Sequence, residues 1–404
     1  MNTFSFRRFA ILVMVLAIGV GLGAGLDHFL APRPAAEPPV SAAMVLPAGA
    51  TPSARAAKPA AELTVEVRAT FDNNIYPSLL LSFAAADPAF TRCLTVAVTG
   101  AVKGQSYELA LASGLLERPA VQTVTAPGDR FELHPLLPWN YAALRAVTQL
   151  RPETFLATLR SNPAGGVATG WNATSGRVSD RAEGPALETS TTCMIHPVNE
   201  AVSRIFNVET DAWQDMSICY AAFVNEDHPW INQILTEAMQ RDGVTRFSGY
   251  EFGPDSVVRQ MRAVWDALAA RGLSYADLAT TSGAVPDVTT QYVRFLDQTL
   301  HDQGANCVDA SVLLASVFRR IGLRPVLIFK PGHCFVAVYD AAQGGQLIGL
   351  ETTLLSAAPF GSAFAMGAQE LNNTIPHLDS PGYSSVDIAV ARQAGVCPIE
   401  FSSN

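Results

Sequence analysis

The apolar pattern changes its period near Cys193, and that change restricts the folds open to this chain. Upstream, Leu63, Val65, Val67, Ala69 and Phe71 alternate with polar residues, and Tyr107, Leu109 and Leu111 do the same. A repeat of two places one side of a strand against a core and the other toward solvent. Further apolar stretches at 79–83, 94–98, 121–124 and 155–159 are separated by Gly, Pro, Asn and Asp, residues that punctuate strands. The spacing predicts a β-rich, sandwich-like domain over residues 63–190, about the size of an immunoglobulin domain. No catalytic cluster stands out in it, and His134 and Trp171 read as packing or surface residues.

Downstream the period becomes helical. Within 230–241, Trp230, Ile231, Ile234, Leu235, Ala238 and Met239 fall on one face, with Pro229 before them and Gly243 beyond. Residues 255–271 repeat this with Val257, Val258, Met261, Val264, Trp265 and Leu268, closed by Gly272. A third helix is predicted over 307–321, with Val308, Ser311, Leu314, Ala315, Phe318 and Ile321 as its buried stripe and Gly322 as its stop. Three short strands follow at 326–329, 333–339 and 346–352, parted by Lys330-Pro331-Gly332 and by residues 341–345. The expected class is α+β, a helix followed by an antiparallel sheet. A chain of 404 residues, 49% of them hydrophobic, has enough apolar material for more than one core.

The N-terminus sets the compartment. Arg7 and Arg8 precede 18 uncharged residues, positions 9–26, close to the roughly 20 that a helix needs to cross a bilayer. Arginines before the run and little positive charge just after it favour a cytoplasmic N-terminus with the rest outside. Residues 1–30 are therefore expected to anchor the chain once in a bacterial inner membrane, with the body in the periplasm. A cleaved signal peptide, with Gly23, Ala24 and Gly25 near the cut, is the other reading, and it also exports the chain. Residues 31–62 carry seven prolines and almost no large apolar side chains, so they form a semi-extended tether. The net charge of -9, with no Lys/Arg cluster, argues against nucleic acid as a partner. Six cysteines include no C-x-x-C pair, and Cys193 with Cys219 is the best candidate for a bridge.

The chemistry-bearing residues lie in the last third. A cysteine nucleophile works as its thiolate, which a helix N-terminus and a nearby imidazole favour. Cys307 stands where the third helix begins, so the positive end of the dipole and the first backbone N–H groups would serve a thiolate and an oxyanion. His333 follows a Pro-Gly turn, 26 residues downstream, and opens a strand. If Asp340 pairs with Gln346, Glu351 lies opposite Phe335 and on the diagonal of His333, on the same face. Such diagonals span about 7–8 Å, within reach of a Glu side chain that orients an imidazole. Cys307, His333, Cys334 and Glu351 are also plausible metal ligands, but adjacent strand residues point to opposite faces, which argues against zinc. No cofactor is expected. Asp309 reads as a helix-start acid, His228 as a surface residue beside a helix start, and His301 and His377 as weak alternatives to His333.

The runs GANCVDASVLLASVFRRIGLRP, KPGHCFVAVYD and LIGLETT resemble the bacterial transglutaminase-like superfamily, whose members carry a papain-like triad. The resemblance covers residues 291–353 and implies a transglutaminase-like domain over 191–404, with its core at 286–356. It implies Cys307 as nucleophile, His333 as base and Glu351 as acid. It also implies a side-chain donor for the oxyanion, for which Gln298, nine residues before Cys307, ranks first, with Gln303 and Asn306 competing. Two departures stand out: Glu351 replaces the more common Asp, and Val308 stands where an aromatic commonly follows the nucleophile. The implied activity is acyl transfer from amide bonds of a peptide, a protein or an envelope polymer, by hydrolysis, deamidation or transamidation. The alternative is a non-catalytic binding or assembly module of the cell envelope.

Overall fold

The first alternating run becomes β1 (Thr64–Ala69), which turns Val67 and Ala69 inward and Glu66 and Arg68 outward. The structure is a computed structural model that describes residues 62–84, 91–162, 186–208, 210–242, 244–277, 281–283 and 285–399. The expected anchor at 1–30 and all but the last residue of the tether at 31–62 lie outside the described residues. Among the described residues no helix is long and apolar enough to cross a membrane.

A left-handed turn at Phe71, Asp72 and Asn73 leads into β2 (Asn74–Ile75) and then α1 (Pro77–Ser82). Residues 79–83, expected as a strand, are thus helical almost to their end. A run of consecutive apolar residues carries no period of its own, and Pro77 suits the first turn of a helix. The chain continues through β3 (Leu94–Thr99), β4 (Ser106–Ala112), β5 (Ala120–Thr125), β6 (Arg130–Leu133), α2 (Tyr141–Arg145), β7 (Arg151–Asn162) and β8 (Ala186–Ile195). These strands make two sheets, ordered β1-β3-β6 and β2-β8-β7-β4-β5. Leu94, Val96 and Val98 from the first, with Tyr107, Leu109, Leu111, Phe155 and Leu159 from the second, are fully buried and belong to one core. Each such side chain contributes roughly 1.5–3 kcal/mol by leaving water. β8 runs straight through the boundary expected at residue 190, because its last residues pair with β2, Asn74 opposite Met194.

All six cysteines are free thiols. Cys193 and Cys219 are both free, so the bridge that the spacing suggested is not formed, and burial first, then the charge of Cys193, push the Cys93 thiol far up.

The second part begins with β9 (Glu200–Asn207) and β10 (Ala212–Asp215), and continues through α3 (Pro229–Asp242), α4 (Pro254–Ala270), β11 (Ser274–Tyr275), β12 (Val288–Tyr292), α5 (Leu296–Asp302) and β13 (Gly304–Ala305) to α6 (Cys307–Arg320). β9 is the middle strand between β10 and β12. A buried ion pair joins the two parts: His196 Nδ1 lies 2.8 Å from Glu200 Oε2, while His196 Nε2 lies 2.9 Å from Asn74 Oδ1. The amide of Asn74 gives both of its bonds to Phe71 O and Asp72 O, so its oxygen must face the ring. Tyr76 stacks on the imidazole at 4.2 Å.

α6 is buried on every side, with Val312, Leu313, Leu314, Ala315, Val317 and Phe318 all fully covered, rather than carrying the one-sided stripe its spacing predicts. A helix apolar all round belongs in the middle of a domain. One flank meets α3 and α4, and the other meets β14 (Pro325–Lys330) and β15 (His333–Tyr339). With β16 (Leu347–Leu350) and β17 (Ser384–Asp387) these form an antiparallel sheet ordered β16-β15-β14-β17. Leu327, Cys334, Val336 and Val338 face α6, while Val326, Ile328, Phe335 and Ala337 face Leu371 of α7 (Phe360–Thr374). α7 crosses β16 where Gly367 meets Gly349, and a Cβ on either glycine would overlap the other's backbone. The class is α+β, as expected.

Candidate active site

Cys307 is the first residue of α6, and its neighbours cap the helix. Asn306 Oδ1 accepts from the N–H groups of Val308 and Asp309, both at 2.9 Å, and Asp309 Oδ2 accepts from Asn306 N–H at 3.0 Å. This reciprocal cap leaves the Cys307 N–H among the helix-start donors without an intrahelical acceptor, beside its own Sγ. Asp309 is buried, and Arg294 grips it with its backbone N–H and with Nη1, each at 2.7 Å. Burial pushes the Asp309 carboxyl above its usual range, although the bonds from Arg294 and Asn306 pull it down. The helix-start acid of the sequence is therefore also a buried clamp on the start of α6.

His333 opens β15 after a turn in which Gly332 adopts φ 72. β16 pairs with β15 in the anticipated register, Tyr339 opposite Leu347 and Val336 opposite Leu350. Continuing it by one residue puts Glu351 opposite Phe335, and the Glu351 carboxylate reaches His333 Nε2 at 2.8 Å. The other ring nitrogen, Nδ1, is the one left for Cys307, which is the first cause of the raised imidazole. Phe335 stacks beside the ring at 6.2 Å and 24°.

Glu351 is itself held from three directions. Its Oε1 accepts from Thr353 N–H at 2.9 Å and from Thr353 Oγ1 at 2.6 Å, and its own N–H donates to Ala363 O of α7 at 3.1 Å. The next residue, Thr352, donates to Cys307 O at 3.3 Å, as Ser311 Oγ does at 2.6 Å. The turn after Glu351 is thereby tied to the Cys307 backbone.

The charges follow from these contacts. Hydrogen bonds to Cys307 and then to Glu351 outweigh burial and push His333 up to about 9. Burial alone would raise the Glu351 carboxyl, but the bonds from His333 and Thr353 prevail and hold it below its ordinary value. At neutral pH the site holds an imidazolium against a carboxylate. Burial first, and then the charge of Cys307, push the Cys334 thiol well above its ordinary value, and Cys334 lies on the opposite strand face in the core. Among the described residues no group of three or more His, Cys, Asp or Glu side chains is arranged to hold a metal ion.

Gln298 is placed elsewhere. It is the third residue of α5, where its Oε1 accepts from Phe295 N–H at 2.9 Å and from Asn199 Nδ2 at 2.8 Å. Among the described residues it makes no hydrogen bond to Cys307, His333 or Glu351. A glutamine at this position of a helix satisfies a backbone donor locally, and that bond competes with any longer reach. Gln303 donates to Arg271 O at 2.9 Å, and Asn306 is the cap of α6, its Nδ2 buried without a partner. His134, His228, His301 and His377 lie outside the group.

Two participants gave no sequence signal. Thr352 is one of many threonines until the register brings it to Cys307 O. Tyr275, half exposed, borders the site: its hydroxyl is raised first by desolvation and then by the charges of Cys307, Asp277 and Glu351. No protein-family model matches the chain, and no curated protein matches it.

Proposed function

We propose that this chain is a cysteine acyl-transfer enzyme of the transglutaminase-like, papain-like type, acting on amide bonds of a peptide, a protein or an envelope polymer. The observation that carries this reading is His333 Nε2 at 2.8 Å from Glu351 Oε2, with Cys307 at the start of α6 raising the same imidazole. The Cys307 thiolate attacks the amide carbonyl, and the oxyanion forms beside the Cys307 N–H. His333 delivers its proton to the departing amine as the C–N bond breaks, leaving a thioester on Cys307. Water or a second amine then attacks the thioester, giving up a proton to His333 and restoring the thiolate. Glu351 holds the ring in the tautomer and orientation that both steps require. The reading includes the inner-membrane anchor and the periplasmic body expected from residues 1–62.

One observation favours the second reading, a non-catalytic binding or assembly module. Gln298 is held by its amide oxygen at the start of α5, with no hydrogen bond to Cys307, His333 or Glu351 among the described residues, and Val308 is apolar and buried.

Alkylation of Cys307 by iodoacetamide across pH separates the two. The enzyme reading expects brisk alkylation near pH ~6 that His333→Ala suppresses. Reaction that rises only with the ionisation of an ordinary thiol near ~8.5, and is indifferent to His333→Ala, would sink it.

A further inference from the structure

Among the described residues no side-chain amide donates a hydrogen bond at Cys307: Gln303 gives its amide to Arg271 O, while Gln298 and Asn306 are held by their amide oxygens in helix caps. β11 supplies another residue. It pairs in parallel with β13, Ser274 opposite Gly304 and Tyr275 opposite Ala305, and the ladder continues with Ala276 N–H donating to Ala305 O at 2.9 Å. Residues directly opposite in a sheet project to the same face, and residues two apart on one strand do so as well. Asn306 is extended, with φ -81 and ψ -177, so the chain keeps the strand alternation until α6 begins. Cys307 therefore lies on the face of Ala305 and on the diagonal of Tyr275, a separation that an aromatic side chain spans.

The rest of the surroundings agree. Tyr275 is 49% exposed, so its ring is not consumed in the core, and among the described residues its hydroxyl makes no hydrogen bond. β11 also packs against the turn at 352–354 that follows Glu351. β11 thus lies between the segment bearing Cys307 and the segment bearing Glu351. Desolvation and then the charge of Cys307 keep the phenol in its protonated, donating form.

We propose that Tyr275 is a catalytic residue whose hydroxyl donates to the carbonyl oxygen of the attacked acyl group, opposite the Cys307 N–H. This role rests on the acyl-transfer reading of Cys307, His333 and Glu351. The phenol does not change protonation state. It binds the oxygen as negative charge accumulates there and releases it when the carbonyl re-forms, so no proton beyond those carried by His333 needs an acceptor. It also places an aromatic surface at the mouth of the site, where Val308 offers none.

The test uses the full chain and two small probes of Cys307. p-Nitrophenyl acetate acylates the thiolate through an oxyanion, and iodoacetamide alkylates it by displacement at carbon without one. Tyr275→Phe removes only the hydroxyl of a half-exposed residue. It should slow Cys307 acylation roughly 100- to 1000-fold, the usual effect of losing one oxyanion donor, while alkylation stays within about twofold. Wild-type acylation rates in Tyr275→Phe, or an equal fall in both reactions, would overturn the role of Tyr275 and leave the acyl-transfer reading standing if His333→Ala still suppresses alkylation. Alkylation indifferent to His333→Ala, or no acylation of wild-type Cys307, would overturn the acyl-transfer reading and Tyr275 with it.

Discussion

Glu351 Oε2 lies 2.8 Å from His333 Nε2 across a strand diagonal, one step beyond the last backbone pair of β15 and β16. A sheet register thus sets a side-chain geometry, since a slip of one residue would turn Glu351 to the opposite face. The bond fixes which imidazole nitrogen faces Cys307, and so makes the acid's identity testable.

Glu351→Gln keeps the size of the side chain and removes its charge. Acylation of Cys307 by p-nitrophenyl acetate should fall by roughly 100- to 10,000-fold, the range by which positioned proton transfer contributes. The titration of His333, followed by its imidazole proton resonances, should move down from about 9. An unchanged His333 titration would remove Glu351 from the site.

The raised value of His333 links stability to pH. The unfolded histidine titrates near ~6.5 and the folded one at about 9, so between these values the folded state holds the extra proton. Its contribution to stability is complete below ~6.5 and is lost as pH rises through about 9. Denaturant unfolding of the wild type should weaken across this window relative to His333→Gln. Parallel profiles for the two proteins would contradict the assignment.

Asp309→Ala removes the reciprocal cap of α6 and leaves the Arg294 guanidinium without its buried partner. Breaking a buried pair by deleting one member costs on the order of 3–5 kcal/mol. The denaturation midpoint should fall accordingly, and Asp309→Asn should recover part of the loss through the cap bond. Cys307 alkylation should slow even where the variant remains folded, because the start of α6 loosens under the nucleophile.

Gly367→Ala places a methyl group against the backbone of Gly349 and Leu350. The overlap displaces α7 from β16 at a cost of about 1–3 kcal/mol, typical of overpacking. Because Ala363 of α7 accepts the Glu351 N–H, acylation should fall together with the melting temperature. A variant as stable and as active as the wild type would show that α7 does not hold the acid.

The elements that could be read without a structure are those with a strong period of their own. Alternation marked β1 and β4, amphipathic spacing marked α3 and α4, and the Pro-Gly turn with its flanking strands marked β14 to β16. Residues 79–83 were ambiguous because a continuous apolar run satisfies either period. The sheet of β9, β10 and β12 left no signal, since its strands are short and β12 joins β9 across more than eighty residues.

The same division runs through the site. Cys307, His333 and Glu351 could be placed from the sequence because a helix start, a strand start and a hairpin register are local features, each set within a few dozen residues. Gln298 fitted by distance along the chain, and in the fold its amide oxygen accepts from the nearest backbone donor, Phe295 N–H. Tyr275 and Thr352 could be found only in three dimensions. A parallel pairing of two-residue strands and a turn that closes on Cys307 O depend on how separate segments pack, and that packing leaves no period in the sequence.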